Sequence, residues 1–361
     1  MTRRAFIRWL LLGAALLLGG AGALSRLLAG KSGEAASPPP QNSPAAGETP
    51  QTREEPDRVA QQPTDPTVPL LSLFLLSDCH VNEDTKAEAD KLRAALKDIE
   101  AFETPVQSVV FGGDQTDFAR DGDYQVFRKI VGGYKLPPVY GNMGNHDYYH
   151  IWIDKAGNFN REAMPNGRTD AQARDKFQKQ FGVDKPYSDA WKNGVHLIML
   201  SQEAYVQEKP EVQEGAWYSD AQLDWLKRKL TEHKNGEPAL VFIHQPLPPA
   251  GRDGGNHTLI RAKAFREILK PHPNVFVFSG HNHREFRFVE DHYVKETFHW
   301  FHNSSVGRPL NRRFQQEAAE RSQGMYIQVF ADRVEIRGRE FSDRSWVKGA
   351  KWTVPLVSAK V

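Results

Sequence analysis

From Leu70 onward the chain alternates between apolar runs of strand length and more polar segments. The runs are apolar at almost every position and lead into polar residues; they lie within residues 69–78, 106–114, 137–147, 195–201, 237–246 and 274–283. Strands that are apolar on both faces are covered on both sides, as in layered α/β folds. The pattern therefore predicts a single α/β domain over residues 70–361.

Two segments between these runs have the spacing of amphipathic helices. The apolar stripes are Ala89, Leu92, Leu96 and Ile99 in the first segment, and Leu223, Leu226 and Leu230 in the second. Ser219 is placed to cap the second helix, with Gln222 completing a capping box. Near the C-terminus, two strand-like runs meet at Ala331-Asp332, which predicts a hairpin.

Residues 1–30 have a different character. Arg3-Arg4 precede Phe6-Ile7-Arg8, an apolar run of about fifteen residues follows, and small residues occupy 21–23. This order predicts a twin-arginine-type signal peptide that engages the twin-arginine translocase during export. Cleavage after Ala23 and retention as an N-terminal membrane anchor both remain open, and no other segment is predicted to contact a membrane. Residues 31–69 are rich in proline and serine and predict a disordered linker.

Composition and charge narrow the functional classes. The chain is 39% hydrophobic and 25% charged, with a formal net charge of +2. Without the arginines of residues 1–23 there are 44 basic and 45 acidic side chains, so nucleic acid is a disfavoured partner. The lone Cys79 excludes an intramolecular disulfide framework.

Side chains that can bind metal ions or transfer protons follow five of the apolar runs. They are Asp78 and His80; Asp114; Asn145, His146 and Asp147; His244; and His281 and His283. Because ligand crevices of α/β sheets lie outside the carboxyl ends of the strands, these side chains are expected to converge. Gly280 is interpreted as the residue that lets the chain turn before His281.

These positions resemble the motifs of the calcineurin-like metallophosphoesterases. The blocks are SDCH (77–80), GDQTD (113–117), GNHD (144–147), IHQP (243–246) and GHNH (280–283), in the family's order. The resemblance implies a layered α/β/β/α sandwich with a metal site at the carboxyl ends of the strands. It also implies that Asp114 bridges two ions. Asp78, His80 and His283 would complete one site, and Asn145, His244 and His281 the other.

Hydrolysis of a phosphate ester explains why such a constellation is useful. Two adjacent ions activate a bridging water and neutralise the phosphoryl oxygens, and a carboxylate between them relieves their repulsion. Imidazole and oxygen ligands without thiolate suit transition-metal ions such as Fe, Mn or Zn. By resemblance, His146 is the catalytic residue that binds the substrate or protonates the leaving group. Asp117 and Asp147 would orient ligands.

Three further residues are candidates for the rim of the pocket: His150, Arg252 and His257. A basic side chain there would bind a substrate phosphate. The sequence thus predicts an exported, binuclear-metal-dependent hydrolase of small phosphomonoesters or phosphodiesters, located in the periplasm, the cell envelope or the medium. A catalytically silent metal-binding module and a nuclease of the same family are the alternatives.

Overall fold

A computed structural model describes residues 65, 67–233 and 236–358. The predicted signal segment 1–30, and nearly all of the predicted linker 31–69, lie outside the described residues. Among the described residues, no helix combines the length and the apolar character needed to cross a membrane.

Twelve strands and five α-helices make up the described fold. The strands are β1 (Leu71–Leu76), β2 (Ser108–Gly112), β3 (Val139–Asn142), β4 (Ser188–Lys192), β5 (Val195–Met199), β6 (Ala239–Phe242), β7 (Val275–Ser279), β8 (Tyr293–Lys295), β9 (His299–His302), β10 (Gln323–Val329), β11 (Arg333–Glu340) and β12 (Ser345–Pro355). The helices are α1 (Ala87–Glu100), α2 (Asp121–Val131), α3 (Asp170–Phe181), α4 (Asp220–Leu230) and α5 (Ala262–Leu269). Short 3-10 helices lie at His146–Trp152, Pro210–Val212 and Val289–Asp291.

The strands form two six-stranded mixed sheets. The first has the order β12-β11-β10-β1-β2-β3, and the second has the order β4-β5-β6-β7-β9-β8. In the first sheet β1, β2 and β3 run parallel, whereas β10 pairs with β1 in antiparallel fashion. In the second sheet β5, β6, β7 and β9 run parallel. The carboxyl ends of the parallel strands therefore lie on the same side of each sheet.

Burial explains why the apolar runs are strands. Every residue of β1, β2, β5, β6 and β7 is buried, which confirms the prediction of strands covered on both faces. The same interpretation is wrong for β3, where Val139 and Tyr140 are only half-buried. That strand is the edge of its sheet, so only one neighbour covers it.

Three apolar layers hold the sheets and helices together. Leu75 and Phe278 belong to the layer between the two sheets. On the other face of the first sheet, Phe74 packs with Leu92 of α1, and on the other face of the second sheet Val277 packs with Phe265 of α5. The result is the predicted α/β/β/α sandwich.

The predicted helices are confirmed, with one correction at a cap. The stripe Ala89, Leu92, Leu96 and Ile99 of α1 is buried. Ser219 Oγ accepts a hydrogen bond from the Gln222 amide at 3.1 Å. The predicted capping box is nevertheless wrong, because Gln222 directs its side-chain amide to Ser201 and Glu203. Glu203 Oε2 accepts instead from the Ser219 amide at 2.6 Å, so a residue distant in sequence completes the cap.

A buried ion pair joins α1 to β11. Arg339 donates to both carboxylate oxygens of Asp98, at 2.8 and 3.0 Å, and the two side chains are only 10% and 5% exposed. Removing the acid would leave the guanidinium buried and unpaired, so Asp98→Ala is expected to lower the free energy of unfolding by about 3–5 kcal/mol.

Chemical denaturation of Asp98→Ala measures this loss, and Asp90→Ala on the same helix is the matched control. Asp90 pairs with Arg93 at the surface, where the side chains are 66% and 45% exposed. Its loss is expected to cost at most about 1 kcal/mol. Equal effects of the two substitutions would contradict the stabilising role of the buried pair.

Candidate metal centre

The predicted ligands meet where the carboxyl ends of both sheets come together. Asp78, Asp114 and Asn145 follow β1, β2 and β3 of the first sheet, and His244 and His281 follow β6 and β7 of the second. Asp78, His80, Asp114, Asn145 and His244 are buried, and His281 and His283 are half-buried. A site at this edge is therefore shielded from water on the sheet side and reachable from the loop side.

The backbone turns sharply at five of these residues. The φ angles are 54° at Asp78, 49° at His80, 51° at Asp114, 75° at His281 and 54° at His283. Residues other than glycine avoid this left-handed region, and such strain concentrates at functional sites. These turns direct the polar side chains toward the carboxyl edge of the sheets, where the ligands meet.

Gly280 has a different role from the predicted one. Its φ is not in the left-handed region, since the turn falls on His281. A Cβ at Gly280 would lie 2.5 Å from Asp78 Oδ2 and 2.8 Å from Ser77 Oγ. The glycine is required for close packing against Asp78, so the interpretation of Gly280 as the turn residue is wrong.

Asp78, His80, Asp114 and His283 form the first cluster. One ligand atom from each lies within 4.8 Å of the others. His80 Nε2 and His283 Nε2 are 3.0 Å apart, and Asp78 Oδ1 is 3.1 Å from His283 Nε2. These are the residues that the family resemblance assigns to one ion.

Asp114, His244 and His281 form the second cluster and share Asp114 with the first. His244 Nε2 lies 3.1 Å from Asp114 Oδ2. Asn145 Oδ1, the predicted amide ligand, lies 3.0 Å from His281 Nδ1. His281 and His283 thus fall in different clusters, on either side of one carboxylate.

The hydrogen bonds of the first cluster's imidazoles leave atoms that suit a cation. His80 Nδ1 donates to Asp117 Oδ1 at 3.2 Å, and His283 Nδ1 donates to the Arg308 carbonyl at 3.1 Å. A neutral imidazole has one N–H, so its other nitrogen carries a lone pair. Burial, and then the neighbouring His146, lower the pKa of His80 to about 4, so this ring is neutral and its Nε2 carries the lone pair. That lone pair, the facing Nε2 of His283 and the Asp78 carboxylate favour a positive ion between them.

In the second cluster, the surroundings of His244 also favour a positive charge. Its Nδ1 donates to the Gly112 carbonyl at 2.8 Å, and its buried Nε2 lies 3.1 Å from Asp114 Oδ2, too poorly aligned to form a hydrogen bond. Burial opposes a charge on the ring, but the carboxylates of Asp114 and Asp78 outweigh burial and raise the pKa of His244 to about 10. The carboxylates draw positive charge to this position, and a metal ion would supply it. The donor set of both clusters, imidazole and oxygen without thiolate, fits Fe, Mn or Zn.

His146 lies beside the clusters, and two contacts fix the orientation of its ring. Its Nδ1 donates to the Asp117 carbonyl at 2.9 Å, and its ring stacks on Tyr149 with centroids 4.0 Å apart. Its side chain is 22% exposed. Burial lowers the pKa of His146, but Asp114 and then Asp117 raise it overall, to about 9. Nε2, at the opposite end of the ring, is the nitrogen that can serve a substrate.

Asp117 and Asp147 hold neighbouring parts of the site in place. Asp117 Oδ1 accepts from His80 Nδ1, and its Oδ2 accepts from Arg308 Nη2 at 2.7 Å. Asp147 Oδ2 accepts from the amides of Asp114 and Gly144, both at 3.0 Å, which ties the loop after β2 to the loop after β3. Burial and the charge of Asp114 raise the pKa of Asp147 to about 7.

The three predicted rim residues occupy different surroundings. His257 Nδ1 lies 3.1 Å from His281 Nε2, so this ring adjoins the second cluster. His150 Nδ1 lies 2.8 Å from Lys176 Nζ. Arg252 is exposed, and its amide donates to the Pro249 carbonyl. Of the three, only His257 touches a predicted ligand.

Sequence reasoning missed two residues that organise the site. Arg308 donates to both Asp117 and Glu88, while its carbonyl accepts from His283. Glu214 Oε2 accepts from Asn145 Nδ2 at 2.9 Å, which directs Asn145 Oδ1 toward His281. The same oxygen accepts from Tyr149, the residue stacked on His146. Neither residue lies in one of the five motifs, so the motif pattern does not indicate it.

We expect Glu214→Gln to weaken metal binding. A glutamine would present an N–H group to the donors that now converge on Glu214, and the Asn145 amide would lose its fixed orientation. Loss of such a supporting partner typically costs about 10–100-fold in metal affinity. Titration against a chelating dye measures the change. Glu208→Gln, at a surface pair with Arg174, is the control and should keep the wild-type affinity; an equal loss in both variants would contradict the assignment.

Two ligand clusters that share one carboxylate, at the carboxyl ends of two stacked sheets, define a candidate binuclear metal centre. The chain belongs to the calcineurin-like phosphoesterase family, whose sequence model matches residues 71–285. That range contains every predicted metal ligand.

Comparison with individual proteins agrees with this family. The chain is 23% identical over 197 residues to the 3',5'-cyclic adenosine monophosphate phosphodiesterase CpdA of Escherichia coli K12, covering 54% of this chain and 61% of the relative. It is 23% identical over 184 residues to the glycerophosphodiester phosphodiesterase GpdQ of Enterobacter lignolyticus, covering 49% and 55%. The matched region thus spans little more than half the length of these relatives. A dimetal phosphatase from Danio rerio shares the fold, with a TM-score of 0.55, 17% identity, and coverage of 80% of this chain and 100% of that one.

Proposed function

We propose that this protein is an exported, binuclear-metal-dependent hydrolase of phosphate esters. The observation that carries the proposal is the pair of clusters that share Asp114, in which Nε2 of His80, His283 and His244 lies close to the carboxylates of Asp78 and Asp114. A catalytically silent relative would be expected to have lost a ligand or the neighbouring histidine. The described site keeps every predicted ligand and His146.

The side chains divide the chemistry among them. Two bound ions would supply an activated water and would neutralise the phosphoryl oxygens. Asp78, His80 and His283 would hold one ion, and His244, His281 and Asn145 the other, with Asp114 between them. His146, oriented by Asp117, offers Nε2 to the substrate, where a proton donor assists departure of the alcohol.

Phosphodiesters are the substrates that the comparisons favour. The names of CpdA and GpdQ describe both relatives as phosphodiesterases. The ligand set by itself serves monoesters and diesters equally, since both present two nonbridging oxygens to the ions.

Metal add-back to chelator-stripped protein tests the proposal. Mn, Fe, Zn and Co are returned separately, and bis-p-nitrophenyl phosphate, p-nitrophenyl phosphate and single-stranded DNA serve as substrates. We expect cleavage of the diester, restored by at least one metal and exceeding cleavage of the monoester. Inactivity with every metal and ester would support the silent module, and preferential cleavage of DNA would support the nuclease.

Export by the twin-arginine route is part of the proposal, based on residues 3–8 and the apolar run that follows. That route carries folded proteins, which suits an enzyme that acquires its metals in the cytoplasm. Changing Arg3 and Arg4 together to lysine is expected to retain the protein in the cytoplasm, as cell fractionation would measure. Unchanged export would contradict this route.

A further inference from the structure

A cavity of about 540 Å³ is lined in part by residues that are close in sequence to the predicted metal ligands. Asn282, one of its lining residues, lies between His281 and His283 in the chain. Pro246 follows His244 by two residues, and Thr258 is next to His257, whose ring contacts His281. The volume falls within the range of small-molecule sites, about 300–1,000 Å³.

Two lining residues have buried side-chain nitrogens without a hydrogen-bond partner among the described residues. His302 is 6% exposed, and its unpartnered atom is Nε2. Its Nδ1 lies 3.1 Å from Ser279 Oγ, which accepts from Trp300 Nε1 at 2.9 Å. Burial, followed by the neighbouring His292, lowers the pKa of His302 to about 3, so this ring is neutral.

Arg284 supplies a donor without an acceptor. Its Nη1 is buried and has no hydrogen-bond partner within the described part of the chain. Its Nε lies 3.5 Å from Asp291, which also pairs with Arg312 at 2.9 Å. Arg312 reaches Glu290 as well, so its charge is already matched. Arg284 Nη1 is therefore an unmet donor, and a buried donor without a partner is costly.

The lining also contains a group of apolar residues: Trp300, Pro246, Leu247, Pro248 and Pro249. Such surfaces favour a ring over a flexible polar chain, because an aromatic face offers a broad contact. The volume is also larger than a three-carbon alcohol needs.

We propose that this cavity binds the organic group of the phosphodiester, and that this group is a nucleoside-sized ring system with acceptor atoms. The inference rests on the proposed function, because it places the ester phosphate at the metal centre. Arg284 donates to a carbonyl oxygen or ring nitrogen of this group, His302 Nε2 forms a second hydrogen bond with it, and Trp300 and the prolines pack against its faces. Arg284 and His302 would thus determine which esters are preferred.

Two chromogenic diesters test the assignment. Thymidine 5'-p-nitrophenyl phosphate carries a nucleoside, whereas methyl p-nitrophenyl phosphate carries a methyl group, and both release nitrophenol. We expect the wild type to prefer the thymidine ester in kcat/KM by at least about tenfold. Arg284→Met should lower the ratio of the two kcat/KM values about tenfold, mainly through KM, as loss of a charge-assisted hydrogen bond does. Arg313→Met, at an exposed arginine outside the lining, is the matched control and should keep the wild-type ratio.

A calorimetric titration with thymidine alone separates this inference from the proposed function. Binding by the wild type and the control, weakened in Arg284→Met, would support the cavity assignment even if neither ester is cleaved. Failure to cleave any ester with any metal would refute the proposed hydrolase. The cavity assignment is overturned if thymidine does not bind, if the wild type treats both esters alike, or if Arg284→Met leaves the ratio unchanged.

Discussion

Asp114→Asn is expected to remove both metal ions and with them nearly all activity. Asp114 belongs to both clusters, so its negative charge is the one that both ions share. An outer partner of a ligand contributes about 10–100-fold to metal affinity, and a shared ligand should contribute more. Because bound ions supply several kcal/mol of transition-state stabilisation, and each 1.4 kcal/mol is about tenfold in rate, kcat/KM should fall by at least about 10³.

Metal content after gel filtration, together with diester cleavage, measures this result. Asparagine keeps an oxygen that can accept from the His146 amide, which now donates to Asp114 Oδ1 at 2.9 Å. Local structure is therefore largely preserved, and near-ultraviolet circular dichroism checks it. Asp175→Asn, at a surface pair with Lys179, is the control and should bind both ions. Two ions retained at wild-type affinity in Asp114→Asn would rule out a shared carboxylate.

His146→Ala is expected to retain both ions and to lose most turnover. His146 is in neither of the two ligand clusters that share Asp114; it groups with His80 and Asp117, where its Nδ1 donates to the Asp117 carbonyl. Removing a general acid typically lowers the rate by about 10²–10⁴. The loss should appear in kcat, and it should be smaller for esters of acidic alcohols such as nitrophenol, which depart without a proton.

Comparing an activated ester with an alkyl ester at fixed metal content distinguishes this role from a structural one. His272→Ala is the control, because His272 precedes β7 at the end of the strand opposite His281. Its kinetics should match the wild type. Loss of metal from His146→Ala, or an equal rate loss for both esters, would make His146 a structural residue.

Much of the fold could be predicted because the information is local. Apolar runs predict the strands β1, β2, β5, β6 and β7, and an apolar stripe with helical spacing predicts α1. The sequence does not predict the edge strand β12, because most of its residues are exposed or half-buried and its pattern of apolar positions is weak. The capping box predicted for α4 is wrong because Glu203, rather than the local Gln222, accepts from the Ser219 amide.

The residues that support the metal centre illustrate the limit of local information. Asn145 and Glu214 are 69 positions apart, and Asp117 and Arg308 are 191 apart. A lone glutamate or arginine carries no signal of such a partner. The sequence also gives no sign of the buried nitrogens of Arg284 and His302, because only the packed structure shows that they lack hydrogen-bond partners.

The sequence by itself determined which segments are buried strands and which side chains stand at their ends, because both follow from the order of neighbouring residues. The tertiary structure decided how those ends are shared between two clusters. It brought His281 to His244 and His283 to His80, as the family resemblance implies, made Gly280 a residue of close packing, and formed the neighbouring cavity. These outcomes depend on distances between segments far apart in the chain, which only the stacking of two sheets establishes.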